Sequence, residues 1–468
     1  MEYISTRDKS IKYNFKEIFL SGLAPDGGLF VPVKYPALSA EKIKLFKDLS
    51  YPDLAYEICK IFIADKIESK VLKEIIDKTY HETIFQDKEI APLKSLDKRF
   101  YLLELFHGPT HAFKDFALQL MGHILDYFLN EDSKKAIIIG ATSGDTGSAA
   151  ISGCANCKNA DIFILHPYNK TSEIQRKQMT TIIQDNVFNI AIKGNFDDAQ
   201  AIVKHIFKQQ ENIKFNKKLI AVNSINWARI IGQIIYYFYV ALKLDCYNQE
   251  INFSVPTGNF GDIFAGYVAK KMGLPINKLI IATNKNDILS RFLNKNQYDK
   301  KELLESLSPS MDIQISSNFE RLLFDAHAND SDKIAALMAK FHDTGKLSVE
   351  PDILKNIQNN FLSSSSNDSE IISVMQKIYK EFNEVIDPHT ATAVKSSYDF
   401  ANNVNGKFVI LATAHPAKFP KALAKAKIAN KHIPDNLANI LDAKEKFSIL
   451  HNNPEEIINF IKSNSLNA

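Results

Sequence analysis

The run F-H-G-P-T-H-A-F-K-D-F, Phe106 to Phe116, holds the first residue set that could do chemistry. A strand-like stretch ends at Phe106, and Gly108 and Pro109 turn the chain. A helix is predicted from about Ala112, which puts Lys114 in its first turn. A helix N-terminus disfavours a cation. Burial acts in the same direction, so both lower the pKa of an amine placed there. A lowered pKa is what an imine-forming lysine needs. The same residues also read as an ordinary helix whose lysine lays its stem along apolar neighbours. His107 and His111 stand four apart, but the intervening Gly and Pro spoil a helix face. No carboxylate follows in the H-E-x-x-H manner, so a turn or substrate-lining role fits better than a metal pair.

Two small-residue loops come next. G-A-T-S-G-D-T-G-S, Gly140 to Ser148, follows a strand and precedes a helix predicted at Ala149. Its small residues let backbone N–H groups face an anion. It lacks both the G-K-[ST] ending of a P-loop and the G-x-G-x-x-G dinucleotide pattern. A carboxylate-binding loop or a plain tight turn remains. S-V-P-T-G-N-F-G-D, Ser254 to Asp262, is a strand–loop–helix junction in which Gly258 and Gly261 allow close backbone approach. It suits a phosphate held by main-chain amides, or is an ordinary turn. Asn223, Ser224, Asn226 and Arg229 follow a strand, and Arg229 stands in a nearly apolar helix. A buried arginine needs an anion, either a structural carboxylate or a substrate group. Thr413 ends a further strand, where ligands meet open α/β sheets. Cys154 and Cys157 form a C-x-x-C with no second pair to complete a zinc site.

These residues must be positioned by elements, and the pattern along the chain supplies them. Before about residue 90 the apolar spacing predicts helices over Glu41–Leu49, Pro52–Ala64 and Ser69–His81. From about Arg99, strand-like runs at 100–106, 135–139, 161–165, 187–192, 219–222, 251–255, 279–283 and 408–413 alternate with helical ones at 116–129, 196–209 and 262–272. That alternation predicts an α/β protein with largely parallel sheets. The expected division is a helical subdomain over 1–95, an α/β core over 96–430 with a smaller part at roughly 110–215, and a C-terminal helical segment over 431–468. The serine run Ser363 to Ser366 reads as a solvated loop. Asp435–Leu441 and Pro454–Ile461 read as helices.

Composition narrows the function classes. The 468 residues are 45% hydrophobic and 24% charged, ordinary for a globular chain. With 57 basic and 54 acidic residues, the net charge of +3 leaves no electrostatic footprint for nucleic acid. The most apolar run, Ile230 to Leu242, is too short to span a membrane and predicts a buried core helix. Met1 to Asp26 mixes charges and has no apolar core of a signal peptide. Four cysteines in this length suit a reducing compartment. The expectation is a cytoplasmic protein with no membrane or nucleic-acid partner, monomeric or homodimeric.

Taken together and in order, the motifs resemble the threonine synthases, pyridoxal-phosphate enzymes of the tryptophan-synthase-β-like class. The resemblance runs through S-G-L-A-P-D-G-G-L-F-V-P (Ser21 to Pro32), H-G-P-T-H-A-F-K-D-F, A-T-S-G-D-T-G-S-A and Q-R-K-Q-M-T-T (Gln175 to Thr181). It continues through N-S-I-N-W-A-R-I, P-T-G-N-F-G-D, D-P-H-T-A-T-A (Asp387 to Ala393) and A-T-A-H-P-A-K-F-P. It implies two parallel-sheet α/β domains with pyridoxal phosphate in the cleft. It implies that Lys114 bonds the cofactor and moves protons. Gly258, Asn259, Phe260, Gly261 and Asp262 would cradle its phosphate, and Thr413 would hydrogen-bond its pyridine nitrogen. Asp145 stands where many of the class carry an asparagine facing the phenolic oxygen, and a carboxylate there would repel a phenolate. Ser143, Gly144 and Thr146 would border the substrate carboxylate. Asn223, Ser224 and Arg229 would bind the substrate phosphate. The implied reaction turns O-phospho-L-homoserine and water into L-threonine and phosphate, with no metal. The competing readings are a dehydratase or phospholyase of the same class and a silent metabolite-binding protein. A dehydratase has no evident need for Asn223, Ser224 and Arg229.

Overall fold

Six-residue runs such as Ala136–Ala141 (A-I-I-I-G-A) are too uniformly apolar to leave a solvated face. They form strands buried on both sides, as parallel sheets require. The computed structural model describes residues 1–213, 215, 217–429 and 433–465. It is a mixed α/β fold whose chain divides into two compact units.

The first unit comprises Met1–Phe19, Leu23–His107 and Ser224–Lys431. Its six-stranded sheet runs in the order Phe361–Ser365, Ile276–Thr283, Ile251–Pro256, Lys407–Ala412, Phe100–Glu104 and Leu93–Ser95. All neighbours are parallel except the Leu93–Ser95 edge, which is antiparallel to Phe100–Glu104. Helices Asp368–Phe382, Pro388–Phe400 and Pro420–Lys425 cover one face, with Ile371, Met375, Ile378, Val394 and Leu423 packed on Phe408 and Ile410. Each such aliphatic side chain contributes about 1.5–3 kcal/mol on full burial. The apolar run seen in the sequence is the helix Trp227–Lys243, buried along most of its length.

The second unit comprises Leu20–Gly22, Gly108–Asn223 and His432–Ala468. Its five strands are all parallel, in the order Ser448–His451, Val187–Lys193, Ala160–Pro167, Ala136–Ala141 and Lys218–Ala221. Helices Phe196–Lys208 and Pro454–Asn464 set Ile202, Ile206, Ile457 and Ile461 against Ile137, Phe163, Leu165 and Ile190. No helix among the described residues is long and apolar enough to cross a membrane.

Three local expectations differ from what is observed. Ser363–Ser366 is no solvated loop, because Phe361–Ser365 is an edge strand paired parallel to Ile276–Thr283. Its hydroxyls find partners that a loop would not supply: Ser363 donates to the Ile281 carbonyl at 2.9 Å, and Ser364 shares a hydrogen with Ser396 at 2.8 Å. The C-terminal segment is not helical throughout; the strand Ser448–His451 lies between its helices. The helix expected at Ala149 begins at Asp145, so Gly147 and Ser148 are helical. The expected boundary at 430/431 lies outside the described residues.

Candidate active site

In the second unit the strand Ala136–Ala141 delivers the chain to the loop Thr142–Gly144 and then the helix Asp145–Cys154. The Thr142 hydroxyl oxygen accepts from the N–H groups of Gly144 at 3.0 Å and Gly147 at 2.9 Å, which shapes the turn. Gly144 has φ +155 and ψ −93, a conformation that side chains rarely adopt. Lys114 is the first residue of the helix Lys114–Glu131, as the sequence placed it in the first turn. Its Nζ lies 3.3 Å from Oδ2 of Asp145, with side chains only 11% and 2% exposed. A cation and an anion at two helix N-termini are thus paired: the dipole favours Asp145 and opposes Lys114, and the ion pair offsets the latter. Ser143 is exposed, Thr146 half-buried and Gly144 buried in the same turn. Asn223 follows the neighbouring parallel strand, where the Val222 N–H donates to the Ile139 carbonyl at 3.1 Å. The structure therefore gathers Ser143 and Asn223 at the carboxyl ends of adjacent strands.

The two helices that carry Lys114 and Asp145 meet backbone to backbone. A Cβ on Gly122 would stand 1.9 Å from the Gly153 carbonyl oxygen, and one on Gly153 would stand 2.3 Å from that of Leu118. Gln119 donates to the Ser152 hydroxyl across the same helix pair at 2.9 Å. The turn before Lys114 is also held. Thr110 donates to Asp115 through its N–H at 2.8 Å and its hydroxyl at 2.7 Å. His111 sits in the left-handed region at φ 54, and its ring Nε2–H donates to the Asn436 amide oxygen at 2.6 Å. A non-glycine held there is a strained conformation, of the kind that clusters at functional sites.

In the first unit, Gly258 and Thr413 follow the adjacent parallel strands Ile251–Pro256 and Lys407–Ala412, again at their carboxyl ends. Phe260 caps the helix Gly261–Lys271 in the left-handed conformation at φ 63. Its ring is buried against Phe319 and Phe361, with centroids 5.4 and 5.8 Å away. That packing holds the strained backbone. Among the described residues, the N–H groups of Gly258, Asn259, Phe260 and Gly261 donate no backbone hydrogen bond. They are open donors of the loop and of the cap and first residue of the helix, suited to an anion.

The Asp262 carboxylate instead turns to the helix Trp227–Lys243, accepting from Tyr236 at 2.5 Å and Tyr237 at 3.1 Å. Arg229 lies in the first turn of that helix and is 3% exposed. Burial lowers its guanidinium pKa to about 10. Asn226 caps the helix by accepting from the Ala228 N–H at 3.0 Å. Thr413 is buried just beyond its strand.

Sequence reading missed the brace that joins two of these loops. The Asn318 amide donates to the carbonyls of Asn259 at 2.9 Å and Ser224 at 3.1 Å. Arg321, fully buried, donates to the carbonyls of Phe30 at 3.0 Å and Ile225 at 2.6 Å, and to Asn318. Ser316 donates to the Gly258 carbonyl at 2.6 Å. Within D-P-H-T-A-T-A, Asp387 caps the helix Pro388–Phe400 and bonds the His389 ring at 2.7 Å; the other ring nitrogen accepts from the Ser310 N–H at 3.2 Å. No sequence signal marks Asn318 and Arg321, because the groups they bond are backbone carbonyls. His107 bonds Glu104 at 2.8 Å. No group of three or more potential metal ligands occurs among the described residues. The four cysteines are free and buried.

Comparison with known proteins gives three family-model matches in chain order. Residues 2–80 match the threonine synthase N terminus, 88–352 the pyridoxal-phosphate dependent enzymes, and 390–461 the threonine synthase C-terminal region. Threonine synthase of Pseudomonas aeruginosa is 48% identical over 462 residues, 98% of either chain. That of Schizosaccharomyces pombe is 42% identical, over 90% of this chain and 88% of its own. The crystal structure of threonine synthase from Brucella melitensis with bound pyridoxal phosphate superposes with a TM-score of 0.95 at 42% identity, over 100% of both chains. The yeast threonine synthase structure gives 0.94 at 38% identity, over 100% of this chain and 99% of that one. The chain belongs to the threonine synthase family of pyridoxal-phosphate-dependent lyases.

Proposed function

We propose that the chain converts O-phospho-L-homoserine and water into L-threonine and phosphate, with Lys114 as the group that bonds the cofactor and moves protons. The observation that carries this reading is the pairing of Lys114 with Asp145 at two helix N-termini, in a family that uses pyridoxal phosphate. The residues present fit that cofactor. Four neighbouring amides from Gly258 to Gly261 donate no backbone hydrogen bond among the described residues. A Cβ at Gly258 would stand 2.8 Å from the Ser310 carbonyl oxygen, so the backbone there must stay bare. The primary amine of Lys114 supplies the covalent anchor.

Bound pyridoxal phosphate supplies an electron sink for the bond to the substrate Cα. Lys114, as a free amine, takes the Cα proton, a base role that needs its nitrogen unprotonated at working pH. Ser143, Gly144 and Thr146 orient the substrate carboxylate, and Asn223, Ser224 and Arg229 hold its phosphate. In the net reaction a proton leaves Cβ, the phosphate leaves Cγ with the bonding electrons, Cγ gains a proton, and hydroxyl adds at Cβ. Thr413 donates or accepts at the ring nitrogen but, being neutral, does not charge it. Asp262 anchors the start of the helix that follows the phosphate loop. Cytoplasmic location is supported by the free, buried cysteines.

The test is a product assay with O-phosphohomoserine on the purified, cofactor-loaded protein. Threonine and phosphate in equal amounts are expected. Phosphate with a keto acid would assign a phospholyase reaction instead. Arg229→Ala should raise KM for the phosphorylated substrate by about 100-fold, since truncating one partner of a buried, charged hydrogen bond costs roughly 2–5 kcal/mol; an unchanged KM removes the phosphate from that site.

A further inference from the structure

We infer that Gln175 is a positioning residue for the reaction: it holds the Asp145 carboxylate so that one oxygen stays on Lys114. This rests on the reading of Lys114 as the cofactor-bonding lysine. The Gln175 side chain is buried, in the helix Glu173–Thr180. Its Nε2 donates to Oδ1 of Asp145 at 2.8 Å, and Oδ2 of the same carboxylate faces Lys114 Nζ at 3.3 Å. A carboxylate only accepts, so the amide nitrogen must be the atom that faces it. The other end of the amide is fixed as well: the Ser172 hydroxyl donates to Oε1 at 2.8 Å, while the Gln175 N–H donates back to Ser172 Oγ at 3.3 Å. The amide therefore cannot turn over without losing two bonds.

A second observation is independent of these bonds. The Gln175 side chain lies where a Cβ on Gly144 would be, with its carbonyl carbon 2.5 Å from that position. The loop Thr142–Gly144 is built around this side chain, and Gly144 takes its unusual backbone conformation there.

The charge logic explains an aspartate where a neutral amide would suffice to touch a cofactor oxygen. Asp145, with one oxygen tied to Gln175, is a carboxylate held in one orientation. Its second oxygen favours the protonated state of the Lys114 nitrogen. Gln175 thereby sets how firmly Lys114 holds the proton that it takes and returns. Other charged groups near in the chain are engaged elsewhere. Asp115 accepts from Thr110 at 2.7 Å, and Arg176 pairs with Glu445 at 2.8 Å. His111 bonds Asn436, and Lys177 donates to the Leu441 carbonyl.

The experiment compares wild type with Gln175→Met, which keeps length and removes the donor, as cofactor-loaded proteins. Two quantities are read: the pH midpoint of the bound cofactor's visible absorbance, and kcat and KM. The midpoint should fall by about one pH unit, and kcat by about tenfold with KM within about twofold, as expected for loss of a hydrogen bond to a charged group. An unmoved midpoint overturns the inference, even where thermal stability drops. Should Gln175→Met fail to fold, Gln175→Glu decides. Its protonated carboxyl donates like the amide, so activity should approach wild type at acid pH and fall as that proton is lost. A pH profile identical to wild type overturns the inference. Borohydride reduction and peptide mass analysis of the wild type separate the two readings. Cofactor fixed to Lys114 with an unmoved Gln175→Met midpoint refutes only the role of Gln175. Cofactor fixed elsewhere refutes the Lys114 assignment itself.

Discussion

Replacing Gly122 by alanine should harm this protein, although alanine is the better helix former. Intrinsic propensity alone favours the change by up to about 1 kcal/mol in a helix interior. The new Cβ, however, would stand 1.9 Å from the Gly153 carbonyl oxygen, a backbone atom with no rotamer to yield. Restoring an ordinary separation near 3.4 Å requires the helices Lys114–Glu131 and Asp145–Cys154 to part by about 1.5 Å. Overpacking of this kind costs roughly 1–3 kcal/mol. With the full propensity gain set against it, net destabilisation of up to about 2 kcal/mol follows, which lowers the melting midpoint at about 2–4 °C per kcal/mol. The shift also reaches the chemistry, because the first residues of these helices are Lys114 and Asp145, 3.3 Å apart. Melting followed by circular dichroism, with the visible absorbance of the loaded cofactor recorded in parallel, reads both effects. Both should change together. A Gly122→Ala protein that melts at or above the wild-type midpoint, with an unaltered cofactor spectrum, refutes the close-packing argument.

Gly258→Ala is expected to weaken retention of pyridoxal phosphate by about tenfold, because its Cβ would stand 2.8 Å from the Ser310 carbonyl oxygen and displace the amide loop; equilibrium dialysis measures this, and unchanged retention contradicts it. His166 supplies an acid-stability test, since burial lowers its pKa from 6.5 to about 4. The unfolded chain binds the proton near pH 6.5 and the fold does not until about pH 4. Its contribution is complete above 6.5 and is lost as pH drops toward 4, amounting to about 3 kcal/mol at the acid end. His166→Phe should flatten the pH dependence of the urea midpoint over that window, and a slope unaltered by the substitution would falsify the assignment.

The alternation of apolar strands and amphipathic helices made the α/β architecture legible, because parallel strands buried on both faces carry long apolar runs. Phe361–Ser365 escaped because an edge strand can be polar, its hydroxyls being satisfied by Ile281 and Ser396 from elements far off in the sequence. Ser448–His451 escaped because four residues of alternating exposure carry too little periodicity. Lys114, Asp145 and the Gly258–Gly261 loop were readable from local motifs. Gln175 was visible only as one letter of Q-R-K-Q-M-T-T, since its task depends on a carboxylate thirty residues away in the chain. Asn318 and Arg321 lie outside every motif; their partners are carbonyls of Phe30, Ser224, Ile225 and Asn259, which composition does not reveal.

The strand Ser448–His451 closes the sheet of the second unit against Val187–Lys193, and roughly 250 residues separate them in the chain. At a synthesis rate of about 5–20 residues per second, a ribosome needs on the order of ten to fifty seconds to make that intervening stretch. Throughout that interval the hydrogen-bonding groups of Val187–Lys193 face no strand partner on one side. An unpaired strand edge is a template for pairing with a neighbouring nascent chain. The newborn protein is therefore most exposed to aggregation late in its own translation, and slowing the last segment should lower its soluble yield more than slowing the first.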